Sequence, residues 1–332
     1  MLLFLVKFLV VLAILAGALA IAKVLSPWPA ALFYRGVFNI GSTVDKIRLA
    51  KYTPRDVTTT RGLAYGAHPD EKLDLHLPPG IAGTSRRVPI VLWIHGGGFV
   101  AGNKRLIANY AKIIAAGGYG VAAIDYTLAP EGHYPIPARQ ANAALAYLRA
   151  NGDKLNLDTD RIVIAGDSAG AHIAAQLGIA LSSPDYARAL GLTPAAPRAA
   201  LRGLLLFCGF FEAALFTPSG FVADYLDAIA RAYLDMPRFD PALVPKTFPI
   251  GANLTSDLPP MFITVGNDDL LTSHSLALAE AARQRGVEID TLFFPADYQP
   301  GLPHEYQFRL GTAAGQEALA RSKAFLARRF QD

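Results

Sequence analysis

Residues 161–181, RIVIAGDSAGAHIAAQLGIAL, constrain the fold of this chain more than any other stretch. A short β-branched apolar run passes through Gly-Asp-Ser-Ala-Gly straight into an Ala-rich helical pattern. A turn this tight between strand and helix leaves room only for small residues around its centre, so Ser168 is flanked by Asp and Ala inside two glycines. The turn presents the Ser168 hydroxyl at a sheet edge, above a helix N-terminus that favours developing negative charge. The G-x-S-x-G spacing in strand–turn–helix context predicts a nucleophile elbow. A glycine-rich turn with an incidental serine is the plainer alternative.

Around that element, short apolar runs alternate with helical patterns. Strands are expected at residues 73–77, 89–94, 120–125, 161–165, 203–208, 260–265 and 288–294, and helices at 104–116, 137–151, 169–181, 273–285 and 312–329. Strands separated by helices build βαβ units, hence an α/β class with a mostly parallel central sheet and helices on both faces. The runs VPIVLWI and RIVIAG are apolar almost throughout, as suits strands covered on both sides. Hydrophobic residues make up 52% and charged residues 17% of the 332, which excludes a disordered chain. A net charge of +4 is too small an excess to indicate nucleic acid, and a single cysteine, Cys208, excludes a disulfide framework or a cysteine-based zinc cage.

Two stretches break the rhythm, residues 25–60 and 209–258, the second with the aromatic-rich patches GFFEAALF and FVADYLDAIARAYL. Long inserts of this kind are usually functional. Together they are expected to form a small cap over the C-terminal edge of the sheet, where ligands bind in open α/β folds. The mean hydropathy of +0.28 is high for such a domain. Much of the excess lies in residues 2–22, LLFLVKFLVVLAILAGALAIA, broken only by Lys7. About 20 apolar residues suffice to span a bilayer. Residues 1–24 are therefore expected to be a transmembrane anchor or signal segment, and 25–332 the catalytic domain. An uncleaved anchor is the favoured form. Cleavage after the small-x-small pattern Ala18-Leu19-Ala20 would instead leave the protein secreted or periplasmic.

A nucleophilic serine needs a base, a carboxylate and donors for an oxyanion. The segment WIHGGGFVAG, residues 93–102, follows the strand PIVLWI. Its glycines let backbone N–H groups face a cavity with no Cβ in the way, and the N–H of the residue after the nucleophile completes such a set. It lacks the Lys-Ser/Thr of a phosphate-binding loop. Of seven histidines, His304 lies in the Pro/Gly-rich loop PADYQPGLPHEY after the strand VEIDTLFF, placed to reach back to the sheet edge as general base. His172, on the elbow helix, reads as a packing or surface residue, and His95 as an orienter of the glycine loop. His68, His76, His133 and His274 have no such context. The strand PMFITV ends in Gly266-Asn267-Asp268-Asp269, and either aspartate could orient the imidazole.

HGGGF…G, then Asp125-Tyr126-Thr127-Leu128-Ala129-Pro130-Glu131, then GDSAG, together resemble the hormone-sensitive-lipase-like family of α/β-hydrolase esterases from about residue 70 to the C-terminus. The resemblance implies an α/β-hydrolase fold with a triad acid that opens a D-P-L segment. Counting back from Gly286 favours Asp269, with Leu270 in place of the family's proline. The family's H-G-F becomes His304-Glu305-Tyr306. Asp125 and Glu131 resemble family positions that brace loops around the site.

The expected mechanism has Ser168 attack an ester carbonyl, His304 take its proton and Asp269 hold the imidazole, with the N–H groups of Gly97, Gly98 and Ala169 on the oxyanion. No metal or organic cofactor is called for. The expected partner is a small short- to medium-chain acyl ester. An amidase or formamidase, a long-chain lipase, and a ligand-binding receptor on the same fold are the alternatives.

Overall fold

The computed structural model describes residues 4, 5, 7–9, 11, 17, 26–215 and 220–331. Its strands are β1 (Thr58–Ala64), β2 (Lys72–Leu77), β3 (Val88–Ile94), β4 (Gly120–Ile124), β5 (Leu157–Asp167), β6 (Leu201–Phe207), β7 (Met261–Val265) and β8 (Ile289–Phe293). They form one sheet in the order β1-β2-β4-β3-β5-β6-β7-β8. β1 and β2 run antiparallel at one edge, and β3 through β8 are parallel. The helices used below are α1 (Trp28–Leu49), α2 (Lys104–Ala115), α3 (Ile136–Ala150), α4 (Ala169–Ser182), α5 (Pro184–Ala189), α6 (Phe221–Tyr233), α7 (Ile250–Asn253), α8 (Thr272–Gln284) and α9 (Ala313–Phe330).

The two-residue period of a strand divides the core into two faces. Ile90, Leu92 and Ile94 of β3, Ile162 and Ile164 of β5, and Leu204 and Leu206 of β6 join one cluster with α3, α4 and α8. Val91, Trp93, Val163, Ala165, Leu205 and Phe207 point the other way, against α2 and α9. Each of these strand side chains is fully buried, worth about 1.5–3 kcal/mol for a large apolar one. The continuous apolar runs follow from this double covering.

β1 was not expected from the sequence. Its residues, TTTRGLA, are mostly exposed, so no apolar alternation marks them. The strand begins at Thr58, so the end of the 25–60 stretch belongs to the sheet. The rest of that stretch is mainly α1, which starts after Pro27. The expected anchor, residues 2–22, lies mostly outside the described residues. Among the described residues no helix is long and apolar enough to cross a membrane.

Candidate active site

Ser168 sits between β5 and α4 with φ 52° and ψ −122°, a strained conformation for a residue with a side chain. Its N–H donates to Phe207 O at 2.8 Å, which ties the turn to the neighbouring strand. A Cβ on Gly166 would lie 2.4 Å from the Gly170 carbonyl group, and one on Gly170 only 2.1 Å from Ile94 O. Strand, turn and helix are thus in backbone contact, and this closeness is what the G-x-S-x-G spacing serves.

The loops after three parallel strands converge on the serine. His304, beyond β8, has Nε2 3.0 Å from Ser168 Oγ and Nδ1 2.8 Å from Asp269 Oδ2. Asp269, beyond β7, is buried, and its Oδ1 accepts the Leu271 N–H at 2.8 Å. Asp268 faces elsewhere, its N–H bonded to Leu302 O and its side chain beside Gly301. Burial disfavours the His304 imidazolium, but the neighbouring Cys208 and Asp269 outweigh it and raise its pKa. Burial in turn pushes the Cys208 thiol up. Cys208, Asp269 and His304 place ligand atoms within 4.8 Å of one another, the one grouping of metal-ligand type among the described residues. Two of the three already bond each other.

The glycine loop closes the site from β3. Gly97, at φ 119°, turns its carbonyl back to accept from Val100 N (3.2 Å) and Ala101 N (2.9 Å). The Gly97 and Gly98 N–H groups meet no acceptor among the described residues, and both glycines line the cavity with Ser168 and Ala169. Ala169 opens α4, so its N–H is a helix-start donor with no intrahelical partner.

The loop is held from outside. His95 bonds Gly96 O through Nδ1 at 2.7 Å and stacks on Tyr126 at 4.4 Å. Asp125 accepts Lys104 N at 2.7 Å and pairs with its ammonium. Glu131 takes both guanidinium nitrogens of Arg35, at 2.8 and 2.7 Å. Arg35, on α1, also donates to Val100 O at 2.6 Å and Ala129 O at 2.9 Å, while Asn39 accepts from Gly102 N at 2.9 Å.

A pair of acids underlies the site, Asp167 buried and Glu305 half-buried. Asp167 accepts from Trp93 Nε1 and Gly96 N, both at 2.8 Å, and Glu305 bonds its carboxyl. Burial, then the Asp167 charge, pushes Glu305 up to about 8. Asp167 already has two donors, so the shared proton belongs on Glu305.

His172 packs on Phe248 with Nδ1 on Phe210 O, and burial lowers its pKa to about 4. His76 and His274 are buried and lowered to about 4 in the same way.

The cavity above Ser168 and His304 measures about 150 Å³ and is walled by apolar side chains, among them Phe210, Ile229 and Phe248. Phe38 and Ser42 of α1 and Tyr225 of α6 also face it. Tyr225 packs on Tyr34 and Phe38, at ring distances of 5.0 and 5.1 Å. Its hydroxyl lies against Gly98, where an added Cβ would approach it to 1.9 Å. Sequence reasoning missed Arg35, Asn39 and Tyr225, whose segments carry no motif. Glu305 was visible only as a departure from H-G-F.

Residues 91–307 match the family described as alpha/beta hydrolase fold. The chain is 30% identical over 279 residues to carboxylesterase NlhH of Mycobacterium tuberculosis, covering 81% of each protein. It is 28% identical over 254 residues to an acetyl esterase of Salmonella schwarzengrund, covering 72% of each. The crystal structure of esterase B from Lactobacillus rhamnosis, inhibited by a C4-C4 tributyrin phosphonate, superposes with a TM-score of 0.76 at 25% identity, over 90% of this chain and 95% of that one.

Proposed function

Since the chain belongs to the alpha/beta-hydrolase fold family, in its hormone-sensitive-lipase-like branch, and is a carboxylic-ester hydrolase, we propose that Ser168, His304 and Asp269 perform the hydrolysis through an acyl-enzyme. The observation that carries the reading is the unbroken line of hydrogen bonds from Asp269 through His304 to Ser168 Oγ, at the floor of an apolar cavity. His304 takes the serine proton as Oγ attacks the ester carbonyl. Asp269 fixes the imidazole with Nε2 toward the serine and stabilises the imidazolium. The N–H groups of Gly97, Gly98 and Ala169 hold the oxyanion, each such donor worth about 2.7–4 kcal/mol of barrier. His304 then returns its proton to the departing alcohol, and water repeats the sequence on the acyl-enzyme. His95, Asp125 and Glu131 keep the donor loop in shape.

The acyl chain is short. A cavity of about 150 Å³ takes roughly a benzene's worth of carbon atoms. The acetyl esterase relative and the tributyrin phosphonate complex point to the same range. The segments from 25 to about 57 and 209–258 act as the cap, and residues 2–22 as a membrane anchor.

Purified protein tested on p-nitrophenyl esters of increasing chain length should peak between acetate and hexanoate, with Ser168→Ala inactive. A phosphonate ester should add its mass to Ser168 alone. Rising turnover toward long chains at an oil interface would make it a lipase. Faster cleavage of a matched formamide would make it an amidase. An active Ser168→Ala variant would end the triad reading.

A further inference from the structure

α1 is apolar on two opposite sides. Ala31, Tyr34 and Leu49 are buried against the domain, and Phe38 with Ser42 lines the acyl cavity. Phe33, Val37, Ile40, Val44 and Ile47 follow one another at four- and three-residue steps, which places them on one stripe facing away from the domain. All five are exposed, Phe33 at 58%, Ile40 at 69% and Ile47 at 68%. Trp28, at the start of the helix, is 44% exposed. Side chains exposed to this degree offer roughly 400–500 Å², near the largest apolar patch a monomer leaves bare.

We propose that this outer face of α1 docks on a phospholipid bilayer, so that the mouth of the acyl cavity opens beside the lipid surface. The docking stands on the exposed stripe, and its consequence for substrate rests on the esterase reading above: the esters taken would be those that partition into the bilayer.

Four observations select lipid over other occupants. The 21-residue apolar run at 2–22 ends six positions before α1 begins, so a head in the bilayer holds the helix at its surface. The large apolar residues described in that run, Phe4, Leu5, Phe8, Leu9 and Val11, are themselves exposed and do not cover the stripe. A second copy is disfavoured by size, since a stable interface needs about 800 Å² from each partner. Charge agrees. Asp45 is the one acid in α1 and pairs with Arg48 at 3.1 Å, while Lys46, Arg48 and Lys51 gather at its C-terminal end, a bias that suits anionic headgroups.

The chain has two tryptophans, Trp28 and the fully buried Trp93, which permits a direct test on the full-length protein. Ile47→Trp is made in a Trp28→Phe background, putting an indole about 28 Å along the helix from position 28, beyond the reach of the head alone. The probe is a vesicle of phosphatidylglycerol with brominated phosphatidylcholine. Docking predicts a blue shift and at least a two-fold loss of the new emission, with Trp93 unquenched. A blue shift without quenching would mean that protein covers the stripe and would overturn the proposal, as would no response at all.

Val44→Lys with Ile40→Lys supplies the functional arm. Turnover of a vesicle-embedded ester should fall about ten-fold while that of a water-soluble short ester stays unchanged, because neither residue faces the cavity. Equal turnover of both esters would leave the stripe without a docking role. Failure on the soluble ester by the unmodified protein would instead sink the esterase reading and leave the quenching result standing.

Discussion

Glu305 is a carboxyl held where a carboxylate is least welcome. It follows the histidine at φ 58° and ψ 32°, a left-handed conformation suited to glycine, and its carboxyl bonds that of Asp167 beneath the elbow. Burial and the Asp167 charge raise its pKa from an ordinary 4.5 to about 8. The sign follows from linkage. Between those values the folded protein binds a proton that the unfolded chain has lost. Whatever stability the protonated group supports is fully present below about pH 4.5 and is lost as pH rises toward 8. The slope reaches at most about 1.4 kcal/mol per pH unit for one proton, and sharing between two acids reduces it, so a loss on the order of 2–4 kcal/mol across the window is the expected scale.

Glu305→Gln removes the titration and keeps a donor for Asp167. Urea unfolding of both proteins at a series of pH values should show no difference in the acid range and a growing advantage for glutamine up to about pH 8. Glu305→Gly separates the second component, since relief of the left-handed conformation adds about 1–2 kcal/mol at every pH. Wild-type and glutamine curves that stay parallel from acid to alkaline pH would refute the shared-proton account. A glycine variant with the same pH slope as wild type would do so independently.

Much of the site was legible because its chemistry is tied to local backbone geometry. Ser168 could be read because the strand, the turn and the helix are contiguous, and the Gly166 and Gly170 contacts show why larger residues are excluded there. The strand β3 and the inner half of β5 were legible because covering on both faces makes VPIVLWI and RIVIAG apolar almost throughout. β1 was not, since an edge strand with TTTRGLA exposed carries neither signal. The choice between Asp268 and Asp269 stayed open on the residues alone, because adjacent aspartates differ only in which way the loop turns each side chain. Arg35, Asn39 and Tyr225 lie beyond local reading for a related reason. Arg35 reaches carbonyls and a carboxylate 65 to 96 residues away, and that placement is set by how α1 docks.

The same contacts yield the remaining predictions. Asp269→Asn should lower kcat on a short ester by about 10⁴-fold, while Asp268→Asn should leave it within a few-fold; the reverse pattern would reassign the acid. Tyr225→Phe should lower kcat at least about ten-fold with KM little changed, because its hydroxyl lies against Gly98 where the oxyanion would form. Unchanged kcat would show the hydroxyl to be only packing. Arg35→Ala removes four hydrogen bonds, two to Glu131 and one each to Val100 O and Ala129 O. The ion pair is partly exposed and contributes at most about 1 kcal/mol, so the carbonyls left without a donor carry most of the effect. They belong to the glycine loop and to the segment after β4, so the donors on Gly97 and Gly98 lose their fixed position. A ten-fold fall in kcat should therefore accompany a drop in Tm of a few degrees, with Arg35→Lys recovering only part of the rate. If Tm falls and kcat does not, Arg35 holds the fold together without positioning the oxyanion donors.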